Sequence, residues 1–206
     1  MILCDLKDGL AILTINRPEK ANSLTEAMLT ELTERLSGLS GQDCRAVILT
    51  GAGKVFSAGA DLEEARAGLA TSAVWDRLSR QIAAMPCLTI AALNGTLAGG
   101  AFGMALACDL RIAVPEARFF YPVMRLGFLP QPADPPRLTA LVGPARAKMI
   151  LMAGQKIEAT EALAWGLIDR IVPGGDLMAA ARDLATDCLS AAPDHQAAIK
   201  TMLDQP

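Results

Sequence analysis

Gly51-Ala-Gly-Lys-Val-Phe-Ser-Ala-Gly-Ala-Asp-Leu-Glu-Glu64 decides how this 206-residue chain is read. The stretch starts where the apolar strand candidate Ala46–Thr50 runs out and ends where a helix is expected, with Asp61 as a first-turn acid. Small residues at Ser57, Ala58, Gly59 and Ala60 let another group approach the backbone closely. Their N–H groups have no strand or helix partner implied by the sequence, so they are free to point at an oxygen. A bland strand–turn–helix joint has the same composition, and this segment alone does not separate the two readings.

A second segment repeats the pattern. In Ala91-Ala-Leu-Asn-Gly-Thr-Leu-Ala-Gly-Gly-Ala-Phe-Gly-Met-Ala105 an apolar strand ends at the Asn94-Gly95 turn, and a buried helix, expected over 99–107, begins at Gly99-Gly100. A helix N-terminus carries free N–H donors and partial positive charge. Gly100, lacking a side chain, admits a carbonyl oxygen; close helix–sheet packing also selects glycine there. Together the two loops are able to offer one N–H each to a single oxygen.

Outward from these segments the chain alternates strands and helices. Ile2–Leu6 and Leu10–Ile15 form a hairpin candidate across Lys7-Asp-Gly9. A polar loop follows, then a helix capped by Ser23 or Thr25 with Met28, Leu29, Leu32 and Leu36 at helical spacing, ended by Gly38 and Gly41. Further expectations are a helix over 72–84, strands over 87–93, 109–114 and 118–121, and a loop over 127–136 with four prolines. Helices are expected over 136–141, 144–152, 159–165, 177–191 and 194–203. The class is α/β with a helical C-terminal part, a single domain over 1–206 with its core to about residue 140.

Composition narrows function. Hydrophobic residues make up 52%, enough for a substantial core, and the mean hydropathy is +0.33. The net charge of -3, scattered basic residues and 4% aromatics argue against a nucleic-acid partner. Five widely spaced cysteines, Cys4, Cys44, Cys87, Cys108 and Cys188, have neither zinc-site nor redox CxxC spacing, so no metal is expected. The odd count, and an N-terminus without a basic segment before a long apolar run, lead to the expectation of a cytoplasmic protein. The apolar stretch from Cys87 to Cys108 holds Asn94 and four glycines, so no membrane span is expected.

Four segments in order resemble the crotonase superfamily, the enoyl-CoA hydratase/isomerase family: Asn16–Leu24, Gly51–Glu64, Ala92–Leu110 and Ala164–Pro173. The resemblance covers nearly the whole chain. It implies a spiral of ββα units with C-terminal helices, an acyl-CoA thioester as ligand, a thioester enolate held in a backbone oxyanion hole, and a homo-oligomer, trimer or hexamer. No permanently bound cofactor is implied; CoA enters as part of the substrate. By position the oxyanion donors are the N–H groups of Ala60 and Gly100, and Ala58, Asp61, Leu62 and Glu63 line the region of the CoA moiety.

The pattern also departs from the family. Hydratases carry two glutamates, at positions that here hold Gly103 and Val123; isomerases and dehalogenases carry an acid where Gln131 stands. Ordinary two-glutamate hydration is therefore not expected, since glycine and valine transfer no proton and such groups contribute about 10² to 10⁴ in rate. A lyase or isomerase with atypical catalytic residues is the leading expectation; a non-catalytic acyl-CoA-binding or partner subunit is the alternative. Tyr121, the only tyrosine, and Asp134 are the candidate catalytic side chains, each with a bland role as pocket wall or helix cap. His195, the only histidine, is expected on an exposed first turn. Relatives continue past the segment resembled by Ser190–Lys200, and from the end at Pro206 either a more open acyl pocket or one covered by a partner is expected.

Overall fold

A computed structural model describes residues 1–40 and 42–203. The chain opens with the hairpin β1 (Ile2–Lys7) and β2 (Leu10–Ile15), antiparallel in register from Ile2–Ile15 to Lys7–Leu10. Its turn is Asp8-Gly9, with φ of 51° and 82°, as a two-residue hairpin loop with both φ positive requires. Helix α1 (Glu26–Leu39) follows; Thr25 Oγ1 accepts from the Met28 N–H and caps it. Gly38 lies inside this helix rather than ending it, and Gly41 falls outside the described residues.

Three more strand pairs follow: β3 (Ala46–Gly51) with β4 (Val55–Ser57), β5 (Leu88–Leu93) with β6 (Thr96–Ala98), and β7 (Leu110–Ala113) with β8 (Arg118–Phe120). Between them stand α2 (Leu62–Arg66), α3 (Val74–Ala83) and α4 (Phe102–Ala107). The first strand of each pair joins one sheet and the second joins another. The main sheet runs β1-β2-β3-β5-β7-β10, parallel from β2 onward, with β10 (Arg170–Ile171) at its edge. The small sheet runs β4-β6-β8-β9, with β9 (Ile157–Glu158) antiparallel to β8. This is the expected spiral of ββα units. The centre of the main sheet is buried on both faces, which explains why β3 and β5 read as continuous apolar runs.

The rest is mainly helical: α5 (Val123–Leu126), α6 (Asp134–Leu151), α7 (Ala159–Trp165), α8 (Leu177–Ser190) and α9 (Pro193–Leu203). Several sequence expectations are corrected here. The proline-rich stretch 127–136 is not loop throughout: α6 starts at Asp134, with Pro135 and Pro136 in its first turn, where a missing N–H costs nothing. The two helices expected on either side of Gly143 are present, joined at a kink where Gly143 has φ 78° and ψ 163°. The short strands β4, β6, β9 and β10 and helix α5 have no counterpart in the expectations. They are two to four residues long, too short for periodicity to register.

The polar loop 16–24 is held from within. Asn22, wholly buried with φ 54°, accepts from the Arg17 N–H at 2.9 Å and donates to the carbonyls of Ala52 at 2.8 Å and Val55 at 2.6 Å. The Arg17 guanidinium donates to the Ser23 carbonyl and to Asp61 at 2.8 Å. This loop thereby fixes both ends of the Gly51–Asp61 stretch. No helix among the described residues is long and apolar enough to cross a membrane.

Candidate active site

The two glycine-rich loops meet. A Cβ on Gly59, where φ is +90°, would stand 2.8 Å from the Ala98 carbonyl oxygen and 3.3 Å from the Gly99 Cα. Only glycine permits that approach and that φ. Ala60 forms a parallel bridge to Leu24: the Leu24 N–H donates to the Gly59 carbonyl and the Asp61 N–H to the Leu24 carbonyl, both at 2.8 Å. Both bonds use the neighbours of Ala60, so the N–H of Ala60 itself points to the opposite edge. Gly100 is the second residue of a 3₁₀ turn, Gly99–Ala101, that feeds α4; N–H groups in a first turn have no partner within the helix. Packing shares in the choice of glycine at 100, since a Cβ there would sit 3.1 Å from the Trp75 indole.

Asp61 caps α2, accepting from the N–H groups of Glu63 at 3.1 Å and Glu64 at 3.4 Å. The hydrogen bond from Arg17 holds its carboxyl below the usual carboxylate range. Glu64 turns back and accepts from the Glu26 N–H at 2.7 Å, joining α2 to α1. Leu62 and Glu63 are exposed. A cleft of about 520 Å³ runs beside them, lined by Ala58, Ala60, Asp61, Leu62 and Glu63 with the cationic Arg17, Lys20 and Arg66. The five sequence-chosen residues of this region thus share one cleft. A larger cavity, about 910 Å³, lies between α4, β7, α6 and α9, and none of the candidate site residues lines it.

Tyr121 and Asp134 come together. The tyrosine hydroxyl donates to Asp134 Oδ2 at 3.0 Å, and its ring stacks on Phe102, centroids 5.5 Å apart. The N–H of Gln131 approaches the tyrosine oxygen at 3.5 Å, and the Gln131 amide donates to the Ala70 carbonyl at 3.1 Å. Asp134 is 1% exposed, and its Oδ1 has no hydrogen-bond partner. Burial raises its pKa to about 6, against the lowering effects of the Tyr121 hydroxyl and Arg137; Asp76 adds to the rise. Burial and the facing Asp134 carboxylate raise Tyr121 far above its ordinary value. Val123 is buried and apolar, while His195 is exposed and lines the larger cavity instead.

Sequence reasoning missed Trp75 and Asp76 on α3. Trp75 closes the face of Gly100, donating its indole N–H to the Leu69 carbonyl at 2.9 Å. Asp76 pairs with Arg80 at 2.7 Å and keeps a second oxygen buried without a partner. Nothing local marks either residue; a half-buried acid on an amphipathic helix is visible only once α4 packs against α3. Among the described residues no group of three or more His, Cys, Asp or Glu side chains is placed to hold a metal ion.

Residues 5–206 match the enoyl-CoA hydratase/isomerase family, and the chain belongs to that family, within the crotonase superfamily. It is 37% identical over 193 residues to the probable enoyl-CoA hydratase echA8 of Mycobacterium tuberculosis, covering 90% of this chain and 74% of that one. It is 33% identical over 209 residues to 4-chlorobenzoyl coenzyme A dehalogenase-2 of an Arthrobacter species, covering 96% and 75%. The solved enoyl-CoA hydratase of Bacillus anthracis superposes with a TM-score of 0.92 at 33% identity, over 99% of this chain and 82% of that one.

Proposed function

We propose that this chain binds an acyl-CoA thioester, places its carbonyl oxygen between the N–H groups of Ala60 and Gly100, and stabilises the enolate that forms there. The observation that carries this reading is the contact of the two glycine-rich loops at Gly59 and Gly99, which brings the two donor segments together. Rigid backbone donors aimed at a developing oxyanion are worth about 10² to 10³ in rate each. The CoA moiety lies along the cleft at Ala58, Asp61, Leu62 and Glu63, with Lys20 and Arg66 available to its phosphates.

The reaction belongs to thioester enolate chemistry other than two-glutamate hydration, such as decarboxylation or isomerisation. Gly103 and Val123 supply no carboxylate for holding and activating water. A homo-oligomer, trimer or hexamer, is part of the same reading; exposed Leu129 and Leu203, at 85% and 79%, favour cover by a second copy. Light scattering after size exclusion tests the assembly, and a monomer at micromolar concentration contradicts it.

Calorimetric titration with butyryl-CoA and with its thioether analogue, which lacks the carbonyl oxygen, tests the binding claim. The thioester is expected to bind about tenfold more tightly or better, as one or two added hydrogen bonds imply. Equal affinity for the two would contradict the assigned donors.

A further inference from the structure

The unpaired oxygen of Asp134 packs against the bare backbone of Gly103. A Cβ on Gly103 would stand 2.8 Å from Asp134 Oδ1, so a side chain at 103 and this carboxylate cannot coexist. Gly103 follows Gly100 by three residues, which places both on one face of the same helical turn, about 4.5 Å apart along the axis. Both are glycines, so neither puts a side chain of its own between the Gly100 N–H and Oδ1; the Trp75 indole packs against Gly100. The other oxygen is fixed by the Tyr121 hydroxyl at 3.0 Å. Burying a carboxylate oxygen with no partner is unfavourable, and such a group persists in a native fold when something other than stability selects it.

We propose that Asp134 is the proton-transfer group of this site, acting at the carbon next to the thioester carbonyl, and that Tyr121 is its positioning residue. The proposal rests on the oxyanion reading given above. Asp134 Oδ1 takes the proton from the α-carbon. The C–H electron pair becomes the C=C bond of the enolate, and the carbonyl π pair moves to the oxygen held by Ala60 and Gly100. Returning the proton to carbon reverses each movement, so no further reactant is needed. The charged and titratable groups around the carboxyl are Tyr121 after β8, Arg137 on α6, and Asp76 on α3, the last paired with Arg80. Their balance with burial sets the carboxyl at about 6, so it ionises just below neutral pH while retaining basicity.

Deuterium uptake from D2O into the α-position of butyryl-CoA, read by mass spectrometry, tests this. The wild-type chain is expected to catalyse exchange with an acidic limb near pH 6. Asp134→Asn is expected to lower the rate by about 10² or more while holding butyryl-CoA within a few-fold of wild-type affinity. Tyr121→Phe removes a hydrogen bond that favours the ionised carboxyl, so its limb is expected to move to higher pH, a shift that a purely structural role does not produce. Exchange at the wild-type rate in a folded Asp134→Asn protein overturns the proposal. So does a wild-type protein that binds the thioester in preference to the thioether yet catalyses no exchange, which leaves the oxyanion reading standing. A wild-type protein that does not distinguish the two ligands defeats that reading, and this proposal with it.

Discussion

At the scale of single residues, a buried carboxyl makes stability depend on pH. Burial raises the carboxyl pKa of Asp134 to about 6 in the folded state, against the ordinary 3.8 of a free aspartate. Between those values the folded chain holds a proton that the unfolded chain has released, so stability falls as pH rises from about 4 to 6 and stays lower above. Asp134→Asn is therefore expected to be more stable than wild type at pH 8, by about 1–3 kcal/mol, with little difference at pH 4. Urea unfolding at the two pH values checks this, and a destabilised variant at pH 8 contradicts it. The residues themselves were legible in part. Tyr121 and Asp134 stand out in the sequence because each is a lone polar group among apolar or proline-rich neighbours. Their hydrogen bond was not legible, because it depends on α6 starting at Asp134 rather than two residues later.

At the scale of elements, the Gly51–Glu64 loop depends on a buried asparagine. Asn22 makes three hydrogen bonds to the backbone at Arg17, Ala52 and Val55, and the Ser57 hydroxyl donates to its carbonyl at 2.8 Å. Asn22→Ala leaves two carbonyls and an N–H without these partners, and a loss of about 2–4 kcal/mol is expected in urea unfolding. A loss under 0.5 kcal/mol would show that the loop holds itself without this side chain. Alternation of strands and helices made the α/β class readable, because the central strands are continuous apolar runs and α1 has a clean helical period with a threonine cap, while the ββα spiral came with the family resemblance. The strands β4 and β6 were not readable, since Val55–Ser57 and Thr96–Ala98 are three residues long and sit among glycines. Those short strands belong to the second sheet and bring the glycine-rich loops together, so the sequence suggested the two loops while their contact at Gly59 and Gly99 is a property of the fold.

At the scale of the whole molecule, the C-terminal helix is tied to the core by polar contacts rather than by its apolar face. The Lys200 ammonium donates to the Cys87 carbonyl at 3.0 Å and to Asp109 at 2.8 Å, and Asp109 in turn accepts from the Thr89 N–H. The Gln196 amide donates to the Arg45 carbonyl at 2.6 Å. Lys200→Ala is expected to speed hydrogen exchange in 193–203 without changing it in the central strands, because the helix keeps few other anchors. Unchanged protection of α9 in that variant would show that apolar packing alone suffices to hold it.

The backbone oxyanion hole is the claim on which the function rests, and isotope-edited infrared spectroscopy of bound butyryl-CoA, labelled with carbon-13 at the thioester carbonyl, tests it most directly. Hydrogen bonds from Ala60 and Gly100 weaken the C=O bond, so its band is expected at lower frequency on the protein than in water. Gly100→Ala places a methyl group against Trp75 but keeps the N–H, and is expected to retain the shift. Gly100→Pro removes the N–H and is expected to lose most of it. An unshifted band in the wild-type complex, or the same shift in a folded Gly100→Pro protein as in Gly100→Ala, would contradict the account.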